Sequence, residues 1–327
     1  MEKSKNNVKK DSIQDSYAAQ FKLTNDISIV RNDHLLEHCS ANLNQIQMIG
    51  RHVGQQVRIE IPIANETARA LYTATNIHNT EPDVVYVGYK NLEKPWERLD
   101  LEGTNTLSGK VNAQVTAEGL TDAEAEARSE FIENVTDNGD NRKLIVIAPH
   151  GGNIEKYTDE QAEHVVQKLS SKYVSTWICK GFKEGGGAYK RWHITSTDID
   201  EESFPKLKAI IAQIIARGKF EYSVAFHGWT NHNNNNSICI GGSMRWPGLK
   251  EKIRDKIVDV VRDSDIVVNT DHEHTCPPDF NGNADQNIVK RLGIKTLQIE
   301  QSEEARKCYG IDIADVVADV IGPRIQV

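Results

Sequence analysis

Cysteine is scarce in this chain, and its arrangement is uninformative as a scaffold. The five residues Cys39, Cys179, Cys239, Cys276 and Cys308 are odd in number and include no C-x-x-C pair. That excludes a disulfide framework or a cysteine-type zinc site and reads as reduced thiols in a cytoplasmic protein. Long hydrophobic runs are also missing: none approaches the ~18 residues that a membrane-spanning helix requires. The first residues, Met1-Glu-Lys-Ser-Lys-Asn-Asn, hold no apolar stretch, so no signal peptide is expected. Positive charge is in deficit, with 39 Lys and Arg against 47 Asp and Glu and a net charge of −8. Neither nucleic acid nor a membrane is therefore expected as an electrostatic partner. An acidic substrate would need a locally basic site. No internal repeat is present.

At 327 residues, the chain is long enough for two domains. Residues 1–15 are polar and charged, and read as a flexible tail. Residues 16–115 read as a smaller β-rich domain with a barrel as the candidate architecture. Val57-Arg-Ile-Glu-Ile-Pro-Ile alternates with period two, and Asp83-Val-Val-Tyr-Val-Gly is rich in β-branched and aromatic residues. A helix is expected within Leu35–Ile49. Four histidines, His34, His38, His52 and His78, are scattered here. If helical, the His34/His38 spacing could suit a metal, but no third ligand is in reach, and surface or packing roles fit better. Residues 116–142 read as a connecting helix and linker. Thr121-Asp-Ala-Glu opens it with a capping box, and Asp137-Asn-Gly-Asp-Asn closes it with turn residues.

From residue 143 to the end, strand and helix patterns alternate. This is the signature of an α/β domain with a doubly wound, mostly parallel sheet. In such sheets the ligand site lies beyond the carboxyl ends of the strands. Leu144-Ile-Val-Ile-Ala runs into Pro-His150-Gly-Gly, so His150 stands at such an end, and the glycines allow Glu155 to be brought back beside it. Glu221 to His227 and Lys295 to Glu300 are further strands that finish on His227 and Glu300. His150, Glu155 and His227 can converge as a two-histidine, one-carboxylate set that leaves a coordination position open on zinc. Glu300 is then placed as a general base for a metal-activated water. The segment Asp271-His-Glu-His274-Thr-Cys276 is a rival cluster of ligand types, but it reads as a loop at the edge of the site. Lys180, Lys183, Lys190, Arg191, Arg245 and Arg291 surround the predicted edge and could recognise carboxylates.

Five motifs in order carry a family resemblance. They are His150-Gly-Gly-Asn-Ile-Glu155, His193-Ile-Thr-Ser-Thr, Phe226-His227-Gly with Ile240-Gly-Gly, Asn287-Ile-Val-Lys-Arg291, and Leu297-Gln-Ile-Glu300. With them, residues from about 143 to 325 resemble the phage and bacterial poly-γ-glutamate hydrolases, zinc enzymes related in fold to the carboxypeptidase A group. The resemblance implies one zinc per chain on His150, Glu155 and His227, with Glu300 as catalytic acid/base. It also makes Asn287 and Arg291 candidates for substrate contact, and His193 and Arg191 join them. The family pattern has an asparagine just before the arginine, whereas here Asn287 stands four positions ahead of Arg291. The implied function is hydrolysis of γ-glutamyl amide bonds in an acidic peptide or polyglutamate, in a cytoplasmic protein that lysis would release if a phage encodes it. The same zinc chemistry on another amide, an N-acyl amino acid or a peptidoglycan stem peptide, is the near alternative. A phage-associated binding or regulatory protein that uses the first domain is the more distant one.

Overall fold

Every second residue of Val57, Ile59 and Ile61 is buried, which is the consequence of period-two alternation on a strand that closes against its neighbours. In the computed structural model, residues 14–26, 36–64, 66–75, 81–229, 236–243, 248–270 and 281–326 are described. The His34, His78, Arg245 and Asp271–Cys276 readings, and most of the 1–15 tail, lie outside them. The chain divides into two compact units, Met1–Gln114 and Val115–Val327.

The first unit is a closed six-stranded barrel. Its strands are β1 (Ser16–Thr24), β2 (His38–Ser40), β3 (Gln56–Ile63), β4 (Glu66–Ala74), β5 (Val84–Gly88) and β6 (Leu107–Asn112), in the order β1-β5-β2-β4-β3-β6. Closure pairs every strand on both sides and leaves no open edge. Phe21, Ile59, Tyr72, Val85 and Val111 fill the interior with Trp96. The expected helix over Leu35–Ile49 is shorter, α1 (Leu43–Met48), and begins at an Asn42 side-chain cap. His38 lies in β2, fully buried, where i, i+4 helical spacing has no meaning.

The second unit holds a seven-stranded sheet in the order β12-β11-β13-β10-β8-β9-β7. The strands are β7 (Phe131–Thr136), β8 (Leu144–Gly152), β9 (Val174–Gly181), β10 (Phe220–Trp229), β11 (Ser237–Gly241), β12 (Val267–Thr270) and β13 (Gly293–Ser302). The central strands β9, β8, β10 and β13 run parallel, whereas β7 and β11 pair antiparallel with β9 and β13. The helices are α2 (Asp122–Ala127), α3 (Thr158–Leu169), α4 (Ala188–Trp192), α5 (Pro205–Arg217), α6 (Leu249–Val260), α7 (Ile288–Leu292) and α8 (Glu303–Ile325). The fold is thus α/β with a mostly parallel sheet. Val146, Val224, Phe226, Leu297 and Ile299 form one core with Val165 of α3, Ile253 and Ile257 of α6, and Ile313, Val317 and Ile321 of α8. Each such side chain contributes about 1.5–3 kcal/mol by its burial. The alternate residues of β10 and β13, including His227, Gln298 and Glu300, point to the opposite face.

Residues 116–142 are not a linker. The capping box at Thr121 forms as its spacing predicts, but the helix stops at Ala127. Phe131 and Ile132 are buried, and their strand β7 forms an edge of the main sheet. Pairing with β9 and burial of the consecutive residues Phe131, Ile132 and Glu133 override the helix signal there. The reduced-thiol reading also needs correction. Among the described residues Cys39, Cys179 and Cys308 are free, whereas Cys239, in the middle of β11, is disulfide-bonded. Sequence spacing has no access to a pairing made across the fold.

Candidate functional site

The turn after β8 places the first two residues of the site. Gly152 has φ +65° and lies against Gly181 and Phe182, and a Cβ on Gly151 would sit 2.6 Å from Cβ of Asp159. Both positions exclude a side chain. The Glu155 N–H donates to the His150 carbonyl at 2.8 Å, which closes the loop and returns the carboxylate to the imidazole. Tyr157 is held at φ +76° just before α3, a conformation costly for a bulky residue and found where the surroundings enforce it.

Three side chains converge. The Nδ1 of His150 lies 3.1 Å from Glu155 Oε1 and 3.2 Å from Nδ1 of His227. His227 Nδ1 is in turn 3.5 Å from Glu155 Oε2. All three residues are buried. At its far side, His150 Nε2 donates to the Ile194 carbonyl at 2.8 Å. A carbonyl only accepts, so the neutral ring must carry its proton on Nε2, and Nδ1 presents a lone pair. His227 Nε2 faces Ser196 Oγ at 3.5 Å. The Gly228 N–H donates to Glu155 Oε2 at 2.8 Å. Two imidazole nitrogens and a carboxylate thus converge, joined by hydrogen bonds in which a proton on His227 Nδ1 can be shared with His150 Nδ1 or the carboxylate, and loss of that proton would leave three lone pairs facing one point. They are a donor set of the kind that zinc takes, and the Ile194 carbonyl, Ser196 Oγ and the Gly228 N–H hold the three side chains in place.

His193 belongs to the same cluster. Its ring packs 4.2 Å from that of His150 and 4.4 Å from that of Tyr189, and its Nε2 lies 3.7 Å from Glu155 Oε1. The ligand atoms of His150, Glu155 and His193 all fall within 4.8 Å of one another, so His193 is a further candidate metal ligand. Glu300 stands directly opposite His227 in the parallel pairing of β10 and β13, so their side chains share one face. Gln298 Nε2 donates to Glu300 Oε1 at 2.8 Å.

The two carboxyl groups are driven apart. Burial raises the Glu155 carboxyl, but the charges and hydrogen bonds of His150 and His227 outweigh it and hold the group well below the usual carboxylate range. Burial and the neighbouring Glu155 charge push the Glu300 carboxyl well above that range, against the Gln298 hydrogen bond and the Arg306 charge. Burial holds the His227 imidazole below its ordinary value. One carboxylate is thus kept ionised and the other is poised to carry a proton, the division expected of a ligand beside an acid/base.

Other expected residues sit elsewhere. Arg291 hydrogen-bonds the Ile199 carbonyl at 2.8 Å and pairs with Glu201. It ties down the segment that carries His193, Ile194 and Ser196. Asn287 caps α7 and donates to Gln298. The Arg191 guanidinium lies over the Trp192 ring, 5.9 Å from its centroid. Lys180 is buried among Asp122, Asp159 and Glu163, with Nζ–O distances of 2.6, 3.2 and 2.7 Å. Lys183 lines a surface pocket with Lys156, Asn153 and the Gly185–Gly187 turn, next to the ligand loop. Lys190 is exposed.

Two residues went unread in the sequence. Arg306 of α8 donates from Nε to the Lys156 carbonyl at 2.9 Å and from Nη1 to the Gln301 carbonyl. Gln298 was visible only as part of a buried strand, although its position two before Glu300 puts it on the same face.

A family model described as poly-gamma-glutamate hydrolase matches residues 117–310. The chain belongs to the poly-gamma-glutamate hydrolase family. The match begins some 25 residues before the resemblance read from the motifs, because α2 and β7 are part of this domain. Among curated relatives, the UPF0714 protein YndL of Bacillus subtilis (strain 168) is 31% identical over 173 residues, 51% of this chain and 57% of that protein. The SPbeta prophage-derived UPF0714 protein YoqZ of the same strain is 28% identical over 167 residues, 51% of each chain. The chain thus spans about half the length of these curated relatives. Among solved structures, a bacteriophage poly-gamma-glutamate hydrolase shares 21% identity at a TM-score of 0.44, covering 59% of this chain and 89% of that one. YndL in a zinc-free apo form shares 21% identity at a TM-score of 0.42, covering 58% and 89%.

Proposed function

We propose that this chain is a zinc-dependent hydrolase that cleaves γ-glutamyl amide bonds in an acidic peptide or polyglutamate. The observation that carries the reading is the meeting of His150 Nδ1, His227 Nδ1 and the Glu155 carboxylate within 3.1–3.5 Å, with Glu300 in register beside His227. His150, Glu155 and His227 would hold the ion, with His193 at its margin. When bound, zinc polarises an amide carbonyl and lowers the pKa of a water to about 7.

The chain's own residues do the rest. Glu155 stays ionised and supplies the negative charge of the ligand set. The Ile194 carbonyl and Ser196 hold the two imidazoles with their coordinating nitrogens turned inward. Glu300 takes a proton from the attacking water and returns it to the leaving amine, so that the C–N bond breaks without release of an amide anion. Among the described residues no helix is long and apolar enough to cross a membrane.

The test is zinc analysis joined to a substrate panel of poly-γ-glutamate, an N-acyl amino acid and a peptidoglycan stem peptide. Stoichiometric zinc and chelator-sensitive cleavage of poly-γ-glutamate are expected. Full activity in metal-free protein would overturn the reading, and preference for another amide would move the substrate while keeping the chemistry.

A further inference from the structure

Glu300 does not receive its hydrogen bond by chance; the polarity of that bond is fixed three residues away. The Val289 N–H at the start of α7 is a backbone group and can only donate. Asn287 Oδ1 accepts it at 3.0 Å, so the other end of that amide, Nδ2, must point away, and it donates to Gln298 Oε1 at 3.0 Å. This leaves Gln298 with its nitrogen outward, and Nε2 donates to Glu300 Oε1 at 2.8 Å. Asn287, Gln298 and Glu300 are all buried, so water cannot readily substitute for a reversed link. Gly282 packs against Gln298: a Cβ there would lie 2.8 Å from Gln298 Oε1 and 2.9 Å from its Cβ. The side chain is therefore confined where the amide lies.

We propose that Asn287 and Gln298 are positioning residues for Glu300. The relay makes Glu300 Oε1 a permanent acceptor, and the proton exchanged in catalysis is carried on Oε2, which makes no hydrogen bond to the described residues. This rests on the reading of Glu300 as the acid/base. It also gives Asn287 a role different from contact with substrate.

Asn287→Asp tests the polarity. The aspartate keeps an oxygen for the Val289 N–H and so preserves the cap, which Asp suits well. Its second oxygen faces Gln298 Oε1, so the Gln298 amide has to turn over and present its own oxygen to Glu300. Asn287→Ala removes the cap and leaves Gln298 able to keep its orientation. The zinc-loaded variants are assayed on poly-γ-glutamate, with thermal unfolding and zinc content measured alongside. The proposal predicts that the two scales rank oppositely. Asn287→Ala has the lower melting temperature, whereas Asn287→Asp has the lower kcat, reduced about 10–100-fold with KM and zinc content unchanged. Gln298→Met should match Asn287→Asp in kcat and serves if either Asn287 variant folds poorly.

A merely structural role would make activity follow stability, and that ranking overturns the proposal. So does full kcat in Asn287→Asp. Glu300→Gln separates the two levels. Loss of activity there with a normal Asn287→Asp removes the relay alone, whereas full activity in Glu300→Gln removes the reading it rests on.

Discussion

The Nδ1 atoms of His150 and His227 stand 3.2 Å apart with the Glu155 carboxylate against both. The Ile194 carbonyl accepts from Nε2 of His150 and so keeps the Nδ1 of that ring turned toward the cluster. His227→Ala should therefore lose stoichiometric zinc, and with it at least about 100-fold in activity, the scale on which one preorganised electrostatic element counts in a buried site. Zinc should raise the melting temperature of the wild type and leave that of His227→Ala unchanged, because an ion at 100 times its Kd adds about 2.7 kcal/mol to the state that binds it. Equal zinc in both proteins by elemental analysis would remove the ligand assignment.

Glu300 gives the pH dependence a sign. Burial and the Glu155 charge favour its protonated form, so the group stays protonated to a higher pH than an ordinary carboxyl. Its catalytic role begins with the ionised form. Activity should accordingly fall as pH drops through a value well above the usual 4.5, and kcat/KM should show that acid limb in the zinc-loaded enzyme. Glu300→Gln should abolish the limb and lower kcat by about 100- to 10,000-fold while zinc remains bound. Retention of the limb in the variant would assign it to another group.

How much of this was legible in the sequence depends on whether the information is local. The strand into His150 and the strand-end positions of His227 and Glu300 are period and punctuation, and they suffice to bring these residues to one edge of the sheet. The spacing of His150 and Glu155 is likewise a single-turn matter. Arg291 is different: its charge is plain, but the choice between substrate and Glu201 is made by a segment 90 residues away. Arg306 lies in the first turns of α8, where an arginine looks like an ordinary surface charge until the helix is docked. Phe131 and Ile132 were hidden beneath a strong helix signal, and the pairing that makes them a strand shows only once β9 is beside them.

Cysteine titration checks the least expected covalent feature. Among the described residues Cys39, Cys179 and Cys308 are free and Cys239 is in a disulfide. Unfolded, unreduced protein should therefore yield fewer reactive thiols than reduced protein, which yields five. Five without reductant would restore the reduced-thiol reading. Cys239 pairs in register with Glu300, so reduction should lower the thermal stability of the strand that borders the acid/base. The melting temperature measured with and without reductant reads that directly.

Arg306 is where the scaffold and the site are joined, and its removal should affect both. Its guanidinium holds the carbonyls of Lys156 and Gln301, the residues that follow Glu155 and Glu300. It also fills the space where a side chain on Gly228, the residue after His227, would project. One buried cation thus touches the neighbours of three site residues. Arg306→Met leaves two carbonyls without their charged donor and the nearby carboxylates without a countercharge, a change of about 3–5 kcal/mol for a broken buried pair. Arg306→Lys keeps the charge but not the planar fork that reaches two acceptors at once, so it should fold and yet bind zinc about 10–100-fold more weakly, as loss of an outer-shell partner does. Gly228→Ala should be destabilising because its methyl meets the guanidinium. In the double variant Gly228→Ala/Arg306→Lys, the slimmer side chain makes room for that methyl, so the two losses should sum to more than the double variant shows. Denaturant unfolding of the four proteins measures the coupling, and strict additivity would mean that Arg306 and Gly228 do not share the space assigned to them.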